Sequence, residues 1–343
     1  MANFTGKIIG VTKTTIKKLN GLEPTINASL KSVNTKPYLP GFSWESALSV
    51  PSGNWDSVAY GNGTFVAIDV INGNTQSVMT SPNGLTWTLQ TTPSGKRFSR
   101  VIYGGGLFVA VGYRPNPNEF STSQIMTSPD GITWTLQTHP STIPSNIAYG
   151  NGIYVVLNEF GSSTDVLVSS DGITWVLNSA VLPFTSNFRQ IHFYNGYFIY
   201  ANFSGNQVYY SIDGINWNNT SLSTSGNFRA ISWASSGPVA GLYVLGSLTS
   251  TDKQKSTSIA TTFSSVDNIG PNRLSSLVYC DISAVFVGIE ALTNPGVGVQ
   301  RITTSSSADV WTGRSGITSR GQAITYGDNK LVIVGNNFAS ISY

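Results

Sequence analysis

Four octets in this 343-residue chain hold an acid or its amide at one fixed place: TSPNGLTW (80–87), TSPDGITW (127–134), VSSDGITW (168–175) and YSIDGINW (210–217). A recurring carboxylate is raw material for general acid–base chemistry, so Asp130, Asp171 and Asp213 are the first residues to weigh. Asn83, in the same slot, argues against catalysis. An amide accepts the hydrogen bonds of a tight turn but cannot exchange a proton as a carboxylate does. The glycine that follows (Gly84, Gly131, Gly172, Gly214) tolerates positive φ. Three residues on, Trp87, Trp134, Trp175 and Trp217 can each bury roughly 150–250 Å². The acid caps a turn and the indole pins it. Two further copies degenerate: one decays to TSSSADVW (304–311), with serine in the acid's slot, and the stretch near TTFSSVDN (261–268) lacks the tryptophan.

Other chemistry finds little support. Glycoside cleavage needs two carboxylates about 5–9 Å apart, whereas Asp56, Glu119, Glu159, Asp165, Asp252 and Glu290 are scattered over separate segments with no matched pair. The single Cys280 excludes an intramolecular disulfide, and His139 and His192 are too few for a transition-metal cluster. No phosphate-binding glycine loop is present; GGG at 104–106 sits where a hairpin turn belongs. No cofactor is implied, and the expectation is a protein that is not an enzyme.

The elements that must position these turns repeat around anchor aromatics at Tyr60, Tyr103, Tyr149, Phe193, Trp233, Tyr279 and Tyr326, in steps of 43, 46, 44, 40, 46 and 47 residues. Each unit reads as an apolar strand, a Gly/Asn/Asp turn, a second apolar strand, a polar loop, a third strand, the octet and a fourth strand. Four strands every ~40–45 residues is the spacing of propeller blades. The fold class expected is all-β: a seven-bladed β-propeller of four-stranded antiparallel blades, occupying 41–343. The chain ends after a third strand, NNFASISY (336–343), and GFSWESALSV (41–50) opens with an unmatched tryptophan strand. Trp44 to Tyr60 spans 16 residues, as Trp87 to Tyr103 does. Strand 42–48 should therefore complete the seventh blade and leave no free sheet edge.

SPDGITW resembles the Asp box of bacterial neuraminidase-type repeats, found in sialidases and in the photosystem II assembly factor family. The paired unit YGNGTFVAI…MTSPNGLTWT is similar to repeats of bacteriophage tail and virion proteins. The likeness spans about 300 of the 343 residues. It implies the propeller fold and a virion structural or appendage protein: a tail fibre, receptor-binding or head decoration type. The alternatives it implies are a sialidase-like glycoside hydrolase, with an arginine triad and a tyrosine nucleophile, and an assembly factor gripping a protein partner.

In an up-and-down blade the hairpin turns and octets share one face, and the irregular loops share the other. Rigid scaffolds present function on variable loops, so a host-surface glycan or protein is expected on the loop face. There the connectors before each inner strand would bring Arg97, Arg100, Arg189, Arg229, Arg273 and Arg320 toward the central mouth, with Trp55, Phe98, Phe188 and Phe228 nearby. Arginine and aromatic rings suit an anionic or sugar ligand.

Residues 1–40 lack the blade pattern. Six lysines against Glu23 give this arm +5, and the remainder of the chain is −2. Lys7, Ile8, Ile9, Lys13, Lys17 and Lys18 are the candidates for docking onto other virion proteins, because such a segment orders on a partner. Nucleic acid is set aside, since the arm lacks arginine and interleaved aromatics. Charged residues make up 10% of the chain against a typical ~25%, a composition that suits a virion surface. With no signal-peptide run and no span of ~18 apolar residues, synthesis in a host cytoplasm without membrane insertion is expected.

Overall fold

The computed structural model describes residues 44–70, 78–93, 98–112, 124–140, 142–158, 165–178, 190–201, 206–248, 251–266, 273–290, 302–314, 317 and 321–343. These residues form seven antiparallel sheets of four strands. The first blade comprises Trp55–Gly61, Thr64–Asp69, Val78–Ser81 and Thr88–Gln90, paired in chain order. The inner strands of the other six are Arg100–Gly104, Pro144–Gly150, Ile191–Tyr194, Phe228–Trp233, Leu274–Cys280 and Gly321–Gly327. Each inner strand contacts those of its neighbours, the seventh returning to the first. Closure is as the sequence led us to expect. Glu45–Ser46 pairs antiparallel with Phe338–Ser342 as the outer strand of blade seven. Ser340 Oγ donates to the Glu45 carbonyl at 2.7 Å, and Gly53 N–H donates to Asn337 Oδ1 at 2.7 Å.

Local geometry follows from the turn residues. Asn62 and Gly63 have φ of 46° and 74°, and Asn151 and Gly152 have 50° and 79°. Two positive-φ residues in a row make the tight hairpin that matches strand twist. The second strands that follow are buried along nearly their whole length, as in TFVAID and LFVAVG. They read as continuous apolar runs because both faces of each sheet pack against a neighbouring blade. The apolar residues accordingly divide into seven clusters, one per seam. The cluster between blades seven and one joins Trp55, Phe65, Met79 and Trp87 to Val332, Val334 and Ile341.

The octet is a closed hydrogen-bonded device. Asp171 Oδ1 accepts from the Ile173 and Thr174 N–H groups at 2.8 and 2.7 Å, and Ser169 Oγ accepts from Gly172 N–H at 2.8 Å while donating to Asp171 Oδ1. The Trp175 indole N–H then donates to the Gly172 carbonyl at 3.2 Å. Asn83 Oδ1 makes the equivalent bonds to Leu85 and Thr86 at 2.9 and 3.1 Å. Each indole packs into the seam with the preceding blade. A single such bond contributes about 1 kcal/mol, whereas truncating a buried indole costs about 3–5 kcal/mol, so the wedge dominates and the acid sets its register. In blade five Phe263, fully buried, holds the place of the missing tryptophan. In blade six Ala308 takes the glycine's positive φ, at 66°, and its carbonyl accepts from the Trp311 indole.

Hairpins and octets do share a face. Asn62 Nδ2 reaches the Pro129 carbonyl of the next octet at 3.3 Å, and Asn151 Nδ2 reaches the Ile212 carbonyl at 2.9 Å. At the turn face, the glycine that ends an inner strand lies against the anchor ring of the next blade. A Cβ added to Gly61 would lie 1.9 Å from Cγ of Tyr103, and one on Gly327 would lie 2.3 Å from the Tyr60 ring.

Two outcomes test this architecture. The Thr174 and Ile173 N–H groups hold the Asp171 carboxyl down at about 2. Its folded pKa lies below the ordinary ~3.9, so its stabilisation is complete above pH ~4 and is lost as pH falls toward 2. Asp171→Asn should shrink the loss of thermal stability between pH 4 and 2, read by melting curves, with little change at pH 7. Gly63, with no heavy atom within 4 Å of an added Cβ, should lose only the ~1–2 kcal/mol of a strained φ on Gly63→Ala. Gly61→Ala must displace the Tyr103 ring and should cost more in chemical denaturation.

Candidate functional site

The residue after the anchor aromatic differs around the ring. In blades one, two, three and seven it is a glycine, and the next blade's anchor ring packs on it: Tyr103 on Gly61, Tyr149 on Gly104, Phe193 on Gly150 and Tyr60 on Gly327. In blades four, five and six the position holds Tyr194, Ala234 and Cys280. A cavity of about 330 Å³ opens at this arc, at the turn-face end of the inner strands. It is walled by Phe193 and Tyr194 of blade four, Trp233 of blade five, Tyr279 and Asp281 of blade six and Tyr326 of blade seven, with Asn195, Ser232, Ser235 and Val278 between them.

The rim is built by an unusual hairpin. Blade five replaces the two-residue turn with a loop closed by Ala234 N–H to the Leu242 carbonyl at 2.9 Å and containing the 3₁₀ turn Gly237–Val239. Ser235 and Ser236 on this loop donate to Asp281 Oδ1, Ser236 at 2.8 Å. The Tyr279 hydroxyl donates to the Ser236 carbonyl at 2.6 Å. One carboxylate is thereby fixed beside a set of aromatic rings. Burial pushes the Tyr279 and Tyr326 hydroxyls above the usual phenol range.

Farther along the inner strands from Tyr194 stand His192, Arg100 and Arg229. His192 stacks on Tyr194 with centroids 5.8 Å apart and rings 12° from parallel. Burial pushes the imidazole down to about 4, the Arg100 charge adding to this, while its bond to the Arg229 backbone opposes it. Its Nε2 is buried without a partner. Burial raises the Tyr194 hydroxyl to about 12, and this hydroxyl donates to the Ile231 carbonyl at 3.4 Å. Arg100 donates through Nε to Asn146 Oδ1 at 3.1 Å, and Asp56 offsets part of its burial.

Among the described residues, none of those expected to bind a ligand on the loop face lines the bowl. Arg100 lies in the channel wall, and Arg229 is half-buried with its backbone on His192. Arg273 is half-buried just before blade six's inner strand. Trp55 and Phe228 correct the reading. Both are buried in seams, Trp55 bonded through Nε1 to the Pro51 carbonyl and Phe228 packed between blades four and five. They stabilise blades rather than face a ligand. Arg97, Phe188, Arg189 and Arg320 lie outside the described residues, as do Lys7, Ile8, Ile9, Lys13, Lys17 and Lys18. The structural-turn residues Asn83, Trp87, Asp130, Trp134, Asp171, Trp175, Asp213 and Trp217 all sit in octet turns as expected. Sequence reasoning misses Tyr194, Trp233 and Asp281 as site residues. Their signal is nonetheless there: the anchor's glycine is missing in three consecutive units, and two hairpins are lengthened, to ASSGPVAG in blade five and to DISA (281–284) in blade six.

No family model matches the sequence, and no protein of curated function does. Solved structures do resemble the ring. YCF48 from Cyanidioschyzon merolae superposes with a TM-score of 0.63 at 15% identity, covering 88% of this chain and 98% of its own. YCF48 bound to D1 peptide gives 0.64 at 15%, covering 89% and 97%. Virginiamycin B lyase from Staphylococcus aureus gives 0.69 at 9%, covering 88% and 99%. At these identities the likeness establishes the seven-bladed fold.

His192 supplies a direct check on the channel wall. Its folded pKa lies below the ordinary ~6.5, so the unfolded chain takes up the proton first and stability falls as pH drops from ~6.5 to about 4. NMR titration should show a neutral imidazole at pH 5.5, and His192→Gln should flatten the melting temperature across that window.

Proposed function

We propose that this chain is a non-enzymatic binding propeller that takes a segment of a protein partner into the turn-face bowl. The observation that carries this is the bowl itself: about 330 Å³ walled by aromatic side chains from four consecutive blades, with one oriented carboxylate. Concave, mostly apolar sites with a few placed polar groups are what ligands select, and aromatic anchors dominate protein interfaces. Recognition of a partner by a ring of this shape has support in YCF48 bound to D1 peptide. The repeat's resemblance to virion proteins supports a phage appendage as the setting, with residues 1–40 as the tether to other virion proteins and the loop face free to meet the host.

The test is a display of immobilised random hexapeptides probed with the full chain, alongside a glycan array and labelled sialosides. Retention of a peptide subset that Trp233→Ala weakens at least ~10-fold, from loss of a central aromatic anchor, is the expected result. Glycan binding without peptide binding, or turnover of sialosides, would overturn it.

A further inference from the structure

We infer that the bowl recognises a cationic side chain, a lysine ammonium or arginine guanidinium of the partner. This names the ligand class of the site proposed above and rests on that reading.

Three features of the lining agree. The walls are Phe193, Tyr194, Trp233, Tyr279 and Tyr326, whose ring faces carry the negative lobe of the π quadrupole. Rings grouped around one small volume are the environment in which a cation gains most from aromatic contact, because water is displaced while the charge keeps a partner. Among the described residues, the lining holds no basic side chain and one acid, Asp281. Ser235 and Ser236 both donate to Oδ1 of that acid, which fixes the carboxylate's orientation at the rim. An anion would meet Asp281 with no compensating cation in the lining. A neutral apolar group would take water from the carboxylate and return no partner to it.

The turn face around the bowl carries the same sign. The turn-face connections hold Asp130, Asp171, Asp213, Asp281, Asp309 and Asp328. The lysines beside them, Lys255 and Lys330, are each engaged by one of these acids, Asp309 and Asp328 respectively. Burial works to raise the Asp130 carboxyl, but hydrogen bonds outweigh it, and backbone N–H groups hold down Asp171; both stay below the usual range and are ionised at neutral pH. A cationic ligand is thus drawn to the face on which the bowl opens.

The experiment resolves the peptide display by composition. Retained hexapeptides should be enriched in lysine or arginine at one position. Resynthesis with norleucine in place of the lysine, which keeps the stem and removes the charge, should weaken binding by roughly tenfold. Asp281→Asn keeps an acceptor for Ser235 and Ser236 and removes the charge. It should weaken lysine peptides by a similar factor and leave norleucine peptides unchanged. Retention that depends on Trp233 but shows no lysine or arginine preference, or norleucine peptides binding as tightly as lysine peptides, would overturn the inference and leave the binding reading intact. No retained peptide at all would overturn the reading on which it rests.

Discussion

Every blade in this ring is apolar on both faces, and that is the constraint the rest of the structure depends on. Second strands such as TFVAID are buried along nearly their full length, which no two-layer arrangement with one wet face would allow. A sheet of this kind is stable only between two others. Seven seams and seven apolar clusters are therefore one fact seen twice. The ring has to close, and pairing Glu45–Ser46 with Phe338–Ser342 holds it closed with strands from opposite ends of the propeller.

The octet serves those seams. Its serine, acid and glycine form a self-contained hydrogen-bonded turn, and its indole enters the seam with the preceding blade. Where the sequence drifts, the physical role survives: Phe263 fills the wedge, and Ala308 accepts the backbone strain of a glycine position. The glycine after the anchor aromatic of four blades does the complementary work, letting the next ring approach to contact. Its loss in three consecutive blades coincides with the bowl, so the feature that departs from the repeat is the one with a shape a ligand can enter. Departures from a local rule are where function is expected in a consistent fold.

Much of this is legible in the residues. Blade number, hairpin positions, the seam tryptophans and the closing strand all come from patterns repeated many times, and each copy corroborates the others. The candidate site is less legible. Trp55 and Phe228 adjoin connectors and so read as ligand contacts, yet the alternation of an inner strand turns both into seams. Tyr194, Trp233 and Asp281 escape notice because the regular copies make the turn face look uniform, and the lengthened hairpins of blades five and six depart from that regularity.

What the sequence by itself determined is the ring: local turn chemistry and a two-sided apolar pattern leave seven stacked, four-stranded sheets as the consistent solution. Which aromatic rings meet around one cavity, and which carboxylate stands beside them, was decided only by the tertiary structure. Phe193, Trp233, Tyr279 and Tyr326 lie 40–47 residues apart in sequence. They become neighbours because ring closure sets the inner strands side by side, and no local spacing records the distance across an axis.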